Sequence, residues 1–83
     1  MRFDFNAAEI DFLEKNISKK NLYGDTRNRV IQSLYMKKAI SFYDMNTGNP
    51  IDAVPKTPFD VVGGIVVFSP ELLAFYRRTG SFN

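Results

Sequence analysis

The chain contains no cysteine and no histidine among its 83 residues. Without cysteine it cannot form a disulfide, and without either residue it cannot form a zinc site with nitrogen or sulfur ligands. A domain of this length draws only about 3–5 kcal/mol from its core, near the lower limit of independent stability. The sequence therefore has to fold on apolar packing, helix capping and turns, or with support from a partner or a second copy of itself.

The same absences limit the chemistry available to the chain. Histidine is the only side chain whose ordinary pKa lies between about pH 5 and 8, so the usual general base is missing and no Ser–His or Cys–His nucleophile can form. Asp44 and Asp52 flank a predicted turn, where carboxylates are mostly solvated rather than catalytic. EF-hand and Gly-rich phosphate-binding motifs are also absent from the sequence. We expect a protein that is not an enzyme and uses no metal or cofactor.

No segment of the sequence is typical of a secretory signal or a membrane span. The longest apolar run, Val61–Phe68, holds eight residues with two glycines among them, whereas a spanning helix needs roughly 20. Small secreted domains usually carry disulfides, which this chain lacks. The sequence predicts one cytoplasmic domain over residues 1–83 without membrane contact, with residues 76–83 as a flexible or docking tail.

A capping box predicts the first helix. Asn6 is placed to cap it, and Glu9 lies three residues later, where its carboxylate can accept from the backbone N–H of Asn6. Ile10, Leu13 and Ile17 recur at helical spacing and predict one buried stripe, with Glu9 directed away from it. We expect this helix to end at about residue 16.

A second helix is predicted after a polar connection, Ser18–Gly24. Asp25 follows the glycine and is placed to cap this helix. The helix is expected to end between Met36 and Ser41. Its predicted buried face has four apolar or aromatic residues at helical spacing, which are Val30, Ile31, Leu34 and Tyr35.

From Ile40 onward the apolar residues recur with a period of two, which is typical of strands. Ile40–Val54 is predicted to be a hairpin around the turn residues 46–49, and the prolines at the two ends of its return strand favour an edge position. After an extended linker, Pro55–Pro58, the segment Phe59–Phe68 is rich in β-branched residues and predicts a strand. The glycine pair Gly63–Gly64 inside it indicates a bulge or a close approach of two backbones.

A third helix is predicted at the C-terminal end. Ser69 is placed to cap it, with a proline and a glutamate in its first turn, and Gly80 is placed to end it. Leu72, Phe75 and Tyr76 form its apolar stripe. The chain is therefore predicted to be a small α+β domain with two N-terminal helices, a three-stranded antiparallel sheet made of the hairpin plus one strand, and a C-terminal helix.

Positive charge is concentrated in the middle of the chain. Residues 15–38 carry seven Lys or Arg against a single Asp, while the segments 1–14 and 39–76 are each net acidic. Such a segregated field favours association with an acidic surface. The eight Phe and four Tyr exceed what so small a core readily encloses, so some of them, above all Tyr23, Tyr43 and Phe82, are expected to be exposed. The candidate partner-binding residues are Arg27, Arg29, Lys37, Lys38, Tyr23, Arg77, Arg78 and Phe82.

These observations favour a non-catalytic regulatory adaptor that docks on a partner protein, such as a transcription regulator or a nucleic-acid-processing complex. Self-association into a homo-oligomer stays open. The alternative is a small DNA- or RNA-binding domain that uses the basic segment, although the connection of about eight residues is longer than that of a helix-turn-helix. A solvated helix face with no binding role is also an interpretation of the basic segment. The candidate nucleic-acid-binding residues are Lys19, Lys20, Thr26, Arg27, Asn28 and Arg29.

Overall fold

The computed structural model describes residues 3–54, Thr57 and residues 60–82. Within them the chain forms three helices and a four-stranded antiparallel sheet. The elements in chain order are α1 (Ala7–Asn16), β1 (Leu22–Asp25), α2 (Arg29–Met36), β2 (Ile40–Tyr43), β3 (Pro50–Ile51), β4 (Gly63–Phe68) and α3 (Pro70–Thr79). The predicted α+β class is confirmed, but the sheet has a fourth strand that the sequence pattern did not indicate.

Strand β4 lies inside the sheet although it is the last strand in the chain. The strand order is β1-β4-β2-β3, and each neighbouring pair is antiparallel. The predicted hairpin is confirmed as β2 and β3, and β3 is a two-residue strand at the edge. Because β4 is paired on both sides, its apolar, β-branched sequence suits a central position.

Strand β1 lies where we predicted a connection, and this part of the prediction was wrong. Leu22–Asp25 pairs with β4, so Asp25 ends a strand and does not cap a helix. Helix α2 begins at Arg29, and Asn28 caps it by accepting from the backbone N–H groups of Val30 and Ile31. The helix ends at residue 36, within the predicted interval.

The capping signals of the other two helices are confirmed. The N–H of Glu9 donates to Asn6 Oδ1 at 2.8 Å, and the N–H of Asn6 donates to Glu9 Oε1 at 2.9 Å. At α3 the Ser69 side chain accepts from the third helical residue, and Gly80 ends the helix with φ 71°. A left-handed φ of this kind favours glycine.

All buried strand side chains lie on one face of the sheet. Ile40 lies opposite Phe68, and Phe42 lies opposite Val66, in the pairing of β2 with β4. The helices supply the other half of the core, so the molecule has two layers. The core residues are Phe3, Phe5, Leu13, Ile31, Leu34, Ala39, Ile40, Phe42, Ala53, Val66, Phe68, Leu72 and Phe82.

The paired glycines of β4 allow two backbones to approach closely. A Cβ on Gly64 would lie 2.5 Å from the carbonyl oxygen of Tyr43 on the neighbouring strand. Pairing with β1 continues through both glycines, so the close approach that we predicted is confirmed. The strand begins at Gly63, later than predicted; its predicted first residue, Phe59, and three linker residues (55, 56 and 58) lie outside the described residues.

Candidate functional site

The exposed face of α2 brings together two of the predicted binding residues. Arg27, Arg29, Gln32 and Met36 line one shallow groove. Positions 29, 32 and 36 share a helix face because they are three and seven residues apart, and that face points away from the buried Ile31. Met36 is 57% exposed. Gln32 and Met36 were not among the predicted binding residues, although their helical spacing from Arg29 was a usable signal.

Asp25 holds the side chain of Arg27 in place. The guanidinium donates to both carboxylate oxygens, with Nη2–Oδ2 at 2.7 Å and Nε–Oδ1 at 3.1 Å. This side-chain hydrogen bond, together with one from the Arg27 backbone and the Arg27 charge, lowers the pKa of Asp25. The Arg27 side chain is 74% exposed, so the pair orients the guanidinium more than it stabilises the fold.

Lys37 belongs to a different environment from the other candidate cations. Its Nζ donates to Glu9 Oε1 at 2.6 Å and to the carbonyl oxygen of Asp4 at 2.7 Å. The same nitrogen lies 5.8 Å from the centroid of the Phe5 ring. Its charge is therefore neutralised within the fold, and we remove Lys37 from the proposed binding surface.

Glu9 is buried between α1 and α2, which corrects the prediction that it points away from the apolar stripe. It is 1% exposed, and its second oxygen accepts from Ser33 Oγ at 2.7 Å. Burial alone raises the pKa of Glu9, but hydrogen bonds from the Asn6 N–H, Lys37 and Ser33, with the Lys37 charge, outweigh it. The pKa lies below its ordinary value, and Glu9 is ionised at neutral pH.

Two of the candidate nucleic-acid-binding residues, Thr26 and Asn28, make hydrogen bonds within the fold. Thr26 is buried, and its hydroxyl accepts from the backbone N–H of Val62 at 3.0 Å. The side-chain oxygen of Asn28 is occupied in capping α2. Lys19 and Lys20 are exposed before β1 and form no salt bridge within the described part of the chain. Because β1 lies between α1 and α2, these helices do not form a helix-turn-helix.

The C-terminal tail is packed against the domain as far as residue 82. Phe82 is 3% exposed, so the expectation that it is exposed was wrong. Its ring stacks on that of Tyr76, with the centroids 4.4 Å apart and the planes 8° from parallel. Arg77 and Arg78 lie exposed in the last turn of α3, where positive charge suits the carboxyl end of a helix.

The remaining candidates are distributed over other surfaces. Tyr23 is 60% exposed, as expected, but it lies on β1 and not in a loop. Tyr43 is half-buried on β2, less exposed than we expected. Lys38 is exposed just after α2 and has a left-handed φ of 63°.

The hairpin aspartates make separate local contacts. Asp44 accepts from the backbone N–H groups of Thr47 and Asn46, which lowers its pKa. The hydroxyl of Tyr35 donates to Asp52 at 3.4 Å. Each carboxylate therefore has the structural contacts of a residue beside a turn. Among the described residues, no group of three or more acidic, histidine or cysteine side chains is arranged to hold a metal ion.

Comparison with known proteins does not assign the chain to a family. No protein-family model matches the chain, and no curated protein or solved structure matches it. None of the helices in the described residues is both long enough and apolar enough to cross a membrane. The function therefore has to be inferred from the surface chemistry of this chain.

Proposed function

We propose that the protein is a non-catalytic adaptor that docks on a partner protein through the exposed face of α2. The observation that carries this proposal is the groove that Arg27 and Arg29 line near the start of α2 and Met36 lines at its end. Arginine and methionine are both enriched in protein interfaces relative to the rest of the surface. An acidic partner surface with an apolar side chain near its centre would match this groove.

The fixed orientation of Arg27 supports a specific contact. Two guanidinium nitrogens of Arg27 donate to the Asp25 carboxylate. Because the Arg27 side chain is already ordered, it loses little conformational entropy when a partner carboxylate binds the exposed edge of its guanidinium. Arg29 forms no salt bridge among the described residues, and its full charge is available to the partner. Lys38, Arg77 and Arg78 lie outside this groove, and their binding role stays a prediction.

A protein partner is favoured over nucleic acid because several polar or charged side chains of the basic segment, residues 15–38, already make contacts within the fold. The side chains of Thr26, Asn28 and Lys37 are engaged in these contacts. A phosphate backbone is best held by several unpaired cations along one track. Direct binding to DNA or RNA through Lys19 and Lys20 is the alternative. A cytoplasmic regulator of transcription or nucleic-acid processing stays the partner class that we predict.

Affinity capture from the native host tests the groove. We expect a defined partner to be retained by the wild-type chain and by Lys15→Glu, and to be lost with Arg29→Glu. Lys15→Glu is the control, because it makes the same change from positive to negative charge on α1. Lys15 is exposed, and among the described residues its ion pair is with Asp11. With the purified partner, Arg29→Glu is expected to weaken binding by about 10- to 100-fold, as at an interface hot spot.

Two results would contradict this proposal. Equal loss of binding in both charge variants would show that general electrostatics, not the α2 groove, holds the partner. Binding of the purified chain alone to duplex or single-stranded nucleic acid, falling steeply as salt rises, would favour the alternative.

A further inference from the structure

Strand β1 forms one edge of the sheet, and β4 is its strand neighbour. Backbone groups point alternately to the two sides of a strand in an antiparallel sheet. The register of β1 with β4 continues to Thr26, whose N–H donates to the carbonyl oxygen of Val62 at 3.0 Å. Leu22 and Gly24 lie an even number of residues from Thr26, so their N–H and C=O groups also face β4.

The backbone groups of Tyr23 and Asp25 therefore face the opposite way, toward the open edge of the sheet. The Asp25 carbonyl oxygen accepts from the N–H of Asn28 at 3.2 Å. Among the described residues, the Tyr23 N–H, the Tyr23 C=O and the Asp25 N–H have no hydrogen-bond partner. The edge is accessible, since Tyr23 is 60% exposed. It offers two donors and one acceptor at the spacing of a strand.

The other edge of the sheet is protected against pairing. Strand β3 has two residues, and its register with β2 continues to Asp44, whose N–H donates to the carbonyl oxygen of Asn49 at 2.8 Å. The alternation then directs the backbone of Pro50 outward, and a proline has no N–H to offer. Prolines and very short strands are devices that keep edge strands from pairing. Strand β1 has neither a proline nor a bulge, so its edge is open.

The open edge of β1 ends beside the α2 groove. Asp25 is the last residue of β1, and its carboxylate accepts from the guanidinium of Arg27. Arg27 lines the α2 groove together with Thr26 and Arg29. A chain that follows the edge past Asp25 therefore meets Arg27 next.

We propose that the open edge of β1 receives an extended segment of a partner protein, which joins the sheet as a fifth, antiparallel strand. The inference rests on the proposed function for the partner, because the added strand leads into the α2 groove. One residue of the segment exchanges two hydrogen bonds with Tyr23, and the residue two before it accepts from the Asp25 N–H. The residue paired with Tyr23 is apolar, and an acidic residue N-terminal to this pair reaches Arg27 or Arg29.

The free groups of the edge select a polypeptide over a nucleic acid. A strand backbone supplies both donors and acceptors, whereas phosphate oxygens only accept. A polyanion would leave the Tyr23 C=O unpaired and would lie beside the Asp25 carboxylate. Four residues at about 3.3 Å give an edge of about 13 Å, too short to hold two copies of the chain together without further contacts. A partner that also occupies the α2 groove has those contacts.

Selection from a displayed library of random peptides of about 12 residues tests the proposal. We expect the wild-type chain to select peptides in which an acidic residue precedes a segment of alternating apolar residues. With a selected peptide, resynthesised and bound, amide exchange at Tyr23 and Asp25 is expected to slow by at least about tenfold. This measurement reports directly on the two N–H groups of the open edge.

A matched pair of variants separates the backbone of Tyr23 from its ring. Tyr23→Pro removes the outward N–H and spares the pairing with β4, because an edge strand tolerates proline where the N–H faces solvent. Tyr23→Ala removes the same ring but keeps the N–H. We expect Tyr23→Pro to bind the peptide about tenfold or more weakly than Tyr23→Ala does, the effect of one unmade hydrogen bond. Circular dichroism establishes that both variants are folded.

N-methylation of the peptide provides the same test without changing the protein. A methyl group on the nitrogen that pairs with the Tyr23 C=O is expected to weaken binding by about tenfold or more. A methyl group on the next nitrogen, which faces away from β1, is the control and is expected to leave binding unchanged. Equal effects of the two methyl groups would overturn the added strand.

Failure of this inference is distinct from failure of the proposed function. Equal binding by Tyr23→Pro and Tyr23→Ala, with loss in Arg29→Glu, would overturn the added strand and leave the α2 groove as the site. Loss in Tyr23→Pro alone would keep the added strand and contradict the groove. The inference is also overturned if no peptide is selected, or if a single-stranded oligonucleotide slows exchange at Tyr23 and Asp25. A dimer in sedimentation that Tyr23→Pro dissociates would make a second copy the occupant and overturn it too.

Discussion

Replacing Lys37 with methionine is expected to destabilise the fold by about 2–3 kcal/mol. The change leaves the Glu9 carboxylate, 1% exposed, with hydrogen bonds from only the Asn6 backbone and Ser33. Removing one partner of a fully buried ion pair costs about 3–5 kcal/mol. The Lys37 side chain is 35% exposed, so water can reach the vacated position and reduces that cost. Methionine keeps most of the aliphatic stem.

Urea unfolding followed by circular dichroism at neutral pH measures this loss. A domain of this length has a total stability of only about 4–12 kcal/mol, and the expected decrease in Tm is about 10–20 °C. Lys15→Met is the matched control. It breaks the exposed pair with Asp11, whose side chains are 71% and 62% exposed, and such pairs contribute about 0.3–0.5 kcal/mol.

A double-mutant cycle separates the pair from general effects of each substitution. Glu9→Gln keeps the shape and most hydrogen bonds of the side chain but removes its charge. We expect Lys37→Met to cost less in that background, with a coupling free energy of at least about 1 kcal/mol. A cost for Lys37→Met no larger than that for Lys15→Met, together with additive effects of the substitutions at positions 9 and 37, would contradict this prediction.

Three further predictions follow from single contacts. Because the folded pKa of Glu9 lies below its ordinary value of 4.5, its stabilising contribution is complete above that pH and is lost as the pH falls through the folded pKa. Urea midpoints measured against pH should therefore fall less steeply below pH 4.5 in Glu9→Gln than in the wild-type chain; equal slopes would contradict this. Gly64→Ala should cost at least about 2 kcal/mol, because its Cβ would lie 2.5 Å from the Tyr43 carbonyl oxygen, and an unchanged urea midpoint would show that the strands can separate freely. Phe82→Ala should cost about 2–4 kcal/mol by thermal unfolding, because the ring is buried against Tyr76; a loss below about 0.5 kcal/mol would mean that the tail does not contribute to the core.

Features that depend on neighbours within a few residues were predictable from the sequence. The capping box of Asn6 and Glu9, the cap and stop of α3, and the position of the hairpin all follow from side chains that contact the local backbone. The exposed basic residues Arg27 and Arg29 were also identified, since charged side chains away from an apolar stripe face solvent. Their binding role stays a prediction.

Features that depend on distant parts of the chain were decided only by the tertiary structure. Strand β1 is short and contains no β-branched residue, and it forms because the backbone of β4, near the other end of the chain, pairs with it. The burial of Glu9 required Lys37 and Ser33 on another helix, and no local pattern encodes that meeting. The alignment of Tyr23 and Tyr43 on either side of Ile65 likewise arises from strand register. A helix cap joins groups within about one helical turn, so the sequence alone reveals it. Strand pairing and the neutralisation of a buried charge depend instead on which residues, distant in sequence, the fold brings together.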